Sequence, residues 1–374
     1  MEYYSYKFRI YPNREQIKLI EQTFGYCRFV YNQFLSLRIN QYKASNRTIG
    51  YFECCKKLTE LKKCKNWLKN ADSTALRRSL KFLDEAYQNF FRRLKKGGKP
   101  GFPKFKSKHN NRQSFNSNSA SIKILDKHIK MPKLGLIKCK LSKQIEGRIL
   151  NATISKNPAG KYFVSICCTD TNINCLPKTG KEVGIDLGIK DFAVTSDGEK
   201  IKNPKYLKKY EKLLIKHQRR LSRKPKGSNN RQKQRIRVAL IHEKISNCRA
   251  DFLQKLSTKF VKMYDKIHVE NLKIKNMVKN HKLAKCISDV SWGEFVRQLE
   301  YKCSRYDKKL IKIDTLYASS QICNNCGFKN PAVKDLKIRS WICPQCQTNN
   351  DRDYNASLNI LGWGTPKSTL VEIA

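Results

Sequence analysis

The run Val183-Gly184-Ile185-Asp186-Leu187-Gly188 sets one carboxylate inside an apolar, β-branched stretch bracketed by glycines. A charge in a buried strand is costly unless something positive meets it. Glu270 closes a second apolar run, Lys266-Ile267-His268-Val269, and Asp351 and Asp353 stand just ahead of a helix-like segment carrying Leu358 and Leu361. The order is an acid inside a first strand, an acid at the end of a later strand and an acid at the start of a late helix. Such an order lets separate elements converge hard oxygen donors on two Mg²⁺ ions about 3.5–4 Å apart, the chemistry of phosphodiester hydrolysis. Without cations, carboxylates that close repel and shift one another's pKa values. Asp351 and Asp353, two apart at a helix start, point differently. Asp353 is taken as the third catalytic ligand beside Asp186 and Glu270, with Asp351 as a cap or supporting group.

Cys323-Asn-Asn-Cys326 and Cys343-Pro-Gln-Cys346 enclose 16 residues, giving C-x₂-C-x₁₆-C-x₂-C. This is zinc-ribbon spacing, and four thiolates suit one tetrahedral, structural Zn²⁺. Gly327 and Trp341 fit the turns and packing of a small metal-stapled module. The other 11 of the 15 cysteines, Cys27, Cys139, Cys167 and Cys168 among them, form no compact framework and read as reduced thiols.

The elements that position these groups belong to a strongly basic chain. Its 374 residues carry 78 Lys+Arg against 30 Asp+Glu, a formal charge of +48 spread along the whole length. Self-repulsion of that size makes a polyanion the default partner, with steep salt dependence. No apolar run approaches about 18 residues and no secretory h-region follows Met1, so the expectation is no membrane partner and a cytoplasmic, nucleoid-associated protein, or a nuclear one in a eukaryotic host.

Residues 4–11 alternate as a strand up to Pro12, and a helix is expected from about Arg14 to Arg38 after Asn13. A second runs from about Thr74 to Leu94 after Ser73, leaving Arg77, Arg78 and Lys81 for phosphate. Lys95 to Lys106 is basic, glycine-rich and interleaved with aromatics, the composition of a loop that tracks a nucleic-acid backbone through Lys104 and Lys106. Short strands between 113 and 168 suggest a small β-barrel into which the helices are inserted. From 204 to about 262 the chain reads as a basic two-helix arm broken near 222–230, with Arg219, Arg220 and Arg223 exceeding what solubility requires. A strand at 266–270, a helix over 292–306 and a strand at 309–313 lead to the cysteines. The placement of the acids is the one RNase H-like nucleases use.

Several segments together resemble the TnpB (OrfB) family of insertion-sequence-encoded proteins, relatives of the type V CRISPR effectors. Phe8-Arg9-Ile10-Tyr11-Pro12 with Gln16, and Gly25-Tyr26-Cys27-Arg28-Phe29-Val30-Tyr31-Asn32, resemble its N-terminal motif. Gly101-Phe102-Pro103-Lys104-Phe105-Lys106 is similar to its loop before the barrel. Gly184–Gly188, Val269-Glu270-Asn271-Leu272 and Asp351-Arg352-Asp353-Tyr354-Asn355-Ala356 resemble its RuvC motifs. Ser319-Ser320-Gln321-Ile322-Cys323 and Ser291-Trp292-Gly293 fit as well.

The resemblance implies a transposon-encoded, RNA-guided DNA endonuclease. Its fold would be multidomain α+β: a wedge β-barrel over 1–12 and 98–180, a helical recognition domain over 13–97, an RNase H-like (RuvC) α/β domain over 181–317 and 349–374, and a zinc-ribbon insert over 318–348. Its partners would be a guide RNA from the transposon end and double-stranded target DNA. The helical part would read a short duplex motif beside the target, and the ribbon would help load the target strand. Gln254 stands where the family usually has histidine, Ala318 where threonine is common and Ser357 where alanine is frequent; none is one of the acids. A DNA-binding transposase and a nuclease-inactive RNA-guided repressor are the other readings. The 6 histidines are dispersed, with no paired-histidine transposase motif, and all the acids are kept.

Overall fold

The computed structural model describes residues 3–98, 100–109, 113–118, 122–170, 175–335 and 337–363. It is a multidomain α+β structure that divides into two compact units, Met1–Asn172 and Ile173–Ala374. The tail 364–374, assigned above to the nuclease domain, and residue 121 of the expected strands lie outside the described residues.

The first unit begins with β1 (Tyr4–Tyr11), whose alternation buries Tyr6, Phe8 and Ile10. Asn13 then starts α1 (Arg14–Ser45) with a capping box: its side chain accepts from the Gln16 N–H at 2.8 Å, and Gln16 Oε1 accepts from the Asn13 N–H at 3.0 Å. The helix overruns its expected end at Arg38 because its last turns are polar and exposed, so apolar periodicity fades before the helix does. The second helix, α2 (Tyr51–Cys64), was not anticipated; it buries only Cys54 and Leu58, too narrow a stripe to register as periodicity. In α3 (Ser73–Lys95) the cap is Asp72 rather than Ser73, accepting from the Thr74 N–H at 3.0 Å.

Six strands follow: β2 (Gln113–Asn118), β3 (Lys123–Leu125), β4 (His128–Met131), β5 (Gly135–Lys140), β6 (Arg148–Lys156) and β7 (Tyr162–Thr169). With β1 they form an antiparallel sheet in the order β2-β6-β7-β1-β5-β4-β3. Among the described residues β2 and β3 remain its edges, so the pairings run open where a closed barrel was expected. Ile154, Val164 and Ile166 from the sheet share one core with Ile20, Phe24, Val30, Leu76 and Leu80 from the helices.

The second unit is built on β8 (Glu182–Leu187), β9 (Asp191–Thr195) and β10 (Lys200–Lys202), an antiparallel meander. The turn into β10 uses Gly198 at φ +82°, the left-handed conformation the Asp197-Gly198 pair anticipates. Next come α4 (Tyr206–Ser222) and α5 (Asn229–Met263), broken where the sequence suggests. Then β11 (Lys266–Val269), α6 (Ile274–Met277), α7 (His281–Val290), α8 (Trp292–Arg305) and β12 (Lys309–Lys312) complete a sheet ordered β10-β9-β8-β11-β12. The strands β8, β11 and β12 run parallel, and Val183, Ile185, Ile267 and Val269 are fully buried against Phe192, Phe260 and Phe295. The last described elements are the β13 (Ser340–Ile342) and β14 (Asn349–Asp351) pair and α9 (Arg352–Leu361).

Helix α9 lies directly on β8 because position 184 has no side chain. A Cβ there would stand 2.1 Å from the Ser357 carbonyl oxygen and 2.6 Å from the Leu361 nitrogen. No helix among the described residues is long and apolar enough to cross a membrane.

Candidate active site and metal centre

Strand register builds the carboxylate centre. The parallel pairing of β11 with β8 sets His268 opposite Gly184 and Val269 opposite Ile185, so Glu270 follows beside Asp186 just past the paired segment. Asp186 is the half-buried member of an otherwise buried strand end. Burial, then the Glu270 and Asp353 carboxylates, push the Asp186 carboxyl well above its ordinary range, with Arg352 and Arg339 opposing. Burial also raises Glu270, whose Oε1 accepts from the Ser319 hydroxyl at 2.8 Å. The three acids singled out by sequence therefore share one electrostatic neighbourhood.

The two aspartates at the head of α9 behave differently. Asp351 is the N-cap, its Oδ1 accepting from the Asp353 N–H at 3.1 Å and the Tyr354 N–H at 3.0 Å. Its Oδ2 takes the Lys200 ammonium at 2.6 Å. Burial works to raise the Asp351 carboxyl, but Lys200 and the two N–H groups hold it below the usual range. Asp353 is engaged by the Arg339 guanidinium at 3.4 Å and acts on Asp186.

The four cysteines form a second centre. Their Sγ atoms all lie within 4.8 Å of one another, with Cys323–Cys346 at 3.7 Å and Cys326–Cys343 at 3.5 Å. A tetrahedron with Zn–S of about 2.3 Å has edges of about 3.8 Å, so the donor set fits zinc. The Thr348 hydroxyl pulls the Cys346 thiol down to about 5, which readies one thiolate near neutral pH. Val333 and Trp341 pack under the sulfurs.

Several contacts around these centres carry no sequence signature of their own. Buried Asn359 donates to the Ser319 carbonyl at 2.8 Å and the Ile322 carbonyl at 2.6 Å. Asn355 donates to Ile322 at 2.7 Å and accepts from the Asn324 N–H at 2.8 Å. Buried Arg352 donates to the Asp335 carbonyl at 2.8 Å. The family-like motifs around Ser319 and Asp351–Ala356 marked Ser319, Ile322, Arg352 and Asn355 without roles, and nothing marked Asn359.

The basic residues fall at separate places. Arg77, Arg78 and Lys81 line a cavity of about 460 Å³ together with Tyr51, Asn116 and Asn151. Lys106 sets its ammonium 4.0 Å from the Tyr31 ring centre, and its backbone is held by the Asn32 side chain. Lys104 is exposed, as are Arg219, Arg220 and Arg223 where α4 ends.

Family models match along the chain: residues 1–47 match a helix-turn-helix domain of OrfB, 165–281 a probable transposase (OrfB, IS605), and 292–360 a Cas12f1-like TNB domain. The first of these regions holds a strand and one continuous helix, β1 and α1. A protein of Streptomyces pristinaespiralis named putative RNA-guided DNA endonuclease is 37% identical over 97% of this chain and 90% of its own length. The putative RNA-guided DNA endonuclease InsQ of Escherichia coli K12 is 32% identical over 96% of this chain and 92% of its own. A chain in the cryo-EM structure of a Cas12f1–sgRNA–target DNA complex aligns with TM-score 0.38 and 17% identity, covering 98% of this chain and all of the other. On its sequence relatives, the chain belongs to the TnpB (OrfB) family.

Proposed function

We propose that this protein is an RNA-guided DNA endonuclease, a hydrolase that cuts phosphodiester bonds at a RuvC-like centre of Asp186, Glu270 and Asp353. The observation that carries this reading is the convergence of these carboxyls: burial, then the Glu270 and Asp353 carboxylates, raises Asp186, and burial raises Glu270. Hard oxygen donors so placed suit Mg²⁺, and two such ions, when bound, activate water and offset charge on the leaving 3′ oxygen. Asp186 and Glu270 supply charge from adjacent parallel strands, while Asp353 adds a third carboxylate from α9. Asp351 is spent on capping and on Lys200, which favours Asp353 as the ligand. The strand order β10-β9-β8-β11-β12, antiparallel then parallel, supports an RNase H-like reading.

The cysteines hold one structural Zn²⁺ in a ribbon over 318–348, inserted between 181–317 and 349–374 of the nuclease domain. The sheet over 1–12 and 98–180 serves as a wedge and the helices over 13–97 as a recognition domain. The cavity at Arg77, Arg78 and Lys81 pairs cations with amides able to read base edges in duplex DNA. Lys104, Lys106, Arg219, Arg220 and Arg223 contact guide RNA or target DNA through phosphate. The names of the bacterial relatives support the guided activity.

The test is cleavage of a plasmid matching the guide. Asp186→Ala is expected to abolish cutting while guide RNA still copurifies with the protein. Retained cutting would show that the acids are misassigned. A chain that copurifies with no discrete RNA, and binds transposon ends directly, would instead be a transposase.

A further inference from the structure

The cysteine module and the carboxylate centre are joined by polar contacts that packing alone does not require. Ser319, 4% exposed, sits four residues before Cys323 and gives its hydroxyl to Glu270 at 2.8 Å. Its carbonyl is fixed by Asn359, which is fully buried on the same helix that bears Asp353. The backbone of Ser319 is thus held from α9 while its hydroxyl is given to the second acid. Arg339, inside the loop between the cysteine pairs, reaches the third acid at 3.4 Å. That loop is anchored in turn, since the Arg352 N–H donates to the Arg339 carbonyl at 2.8 Å.

We propose that the cysteine module is a working part of the carboxylate centre. Ser319 is a positioning residue that fixes one Glu270 oxygen and leaves the other for a divalent ion. Arg339 is a resident cation that holds Asp353 and gives way when an ion arrives. The two act in opposite senses: a hydrogen bond that orients a ligand strengthens ion binding, whereas a cation on a ligand competes with it. This inference rests on the proposed cleavage centre.

The experiment uses the full chain with its copurified RNA and measures Mn²⁺ binding by electron paramagnetic resonance, independently of cleavage. Ser319→Ala is expected to raise the half-saturating Mn²⁺ concentration about tenfold, the usual size of such an effect. Zinc content and retained RNA should not change, and Ser319→Thr should restore binding. Arg339→Gln is expected to lower the half-saturating concentration. Unchanged binding in both Ser319→Ala and Arg339→Gln would overturn the proposal, as would a shift of both in one direction. If Ser319→Ala loses zinc, Arg339→Gln alone decides by the sign of its shift. An Asp186→Ala control that binds Mn²⁺ as well as the parent would refute the cleavage centre itself, a result distinct from the failure of Ser319 or Arg339.

Discussion

The two centres of the second unit are assembled in opposite ways. The four sulfurs come from one stretch of 24 residues and close around a point with Sγ separations of 3.5 and 3.7 Å. The acids come from positions 186, 270 and 353, and nothing local brings them together. Sheet register sets Glu270 beside Asp186, and a bare glycine lets α9 settle onto β8. The first centre is a property of a loop and the second a property of a fold. Damage far from the acids should therefore silence the second, whereas only damage near the sulfurs should touch the first.

The sharpest way to break that contrast is Glu270→Gln. Cleavage should vanish, because the charge rather than the shape of the side chain holds a divalent ion. The metal-free protein should at the same time melt higher, since one of the crowded carboxylates is gone. A plasmid assay and a thermal melt without added divalent ion check both. A variant that still cuts would remove Glu270 from the centre.

Gly184→Ala tests the dependence on the fold directly. The new methyl would meet the Ser357 carbonyl at 2.1 Å, which is backbone and cannot swing aside. Helix α9 must shift, at a cost of about 3 kcal/mol by the usual scale of overpacking. Cleavage should fall with it although no acid has changed, and zinc content should stay the same. Cys323→Ser sets the reverse case: zinc is lost, and the measurement is metal content beside a urea titration. Stability should drop locally, while the copurified RNA is retained.

The same contrast explains what the sequence made legible. The spacing of Cys323, Cys326, Cys343 and Cys346 is a short-range pattern, readable without knowing the fold. The paired runs around Asp186 and Glu270 show as strands, but that they are neighbours depends on a parallel register across the two helices α4 and α5. The order of the acids along strand, strand and helix, and the family-like motifs around them, tied them together in advance. Helix α1 could be read from its stripe of Ile20, Phe24, Cys27, Val30 and Phe34, whereas α2 could not, having only Cys54 and Leu58 inside. Lys200, Ser319 and Arg339 were illegible as partners of the acids: a lysine in a basic strand, a serine before a cysteine and an arginine in a loop gain meaning only from what they meet.

The smallest expected effect comes from comparing the two acids that bracket β11. Asp265 precedes the strand and Glu270 ends it, yet their environments push them apart. The Lys308 ammonium, whose side chain is fully buried, meets Asp265, and the Thr179 and Gly180 N–H groups add bonds at 2.9 and 2.7 Å. Lys308 first, then these N–H groups, hold the Asp265 carboxyl far below its ordinary range, whereas burial lifts Glu270 above its own. A carboxyl depressed on folding contributes stability at pH values above its unfolded pKa of about 3.9, and that stability is lost as pH falls through the folded value. The parent should therefore show a falling urea midpoint on the acid side of about pH 4. In Asp265→Asn this component of the slope should disappear, and the midpoint at neutral pH should drop because Lys308 stays buried without its counter-charge. Identical acid slopes in the two proteins would mean that Asp265 is not held ionised by the fold, and the contrast between a structural acid and a site acid on one strand would fail.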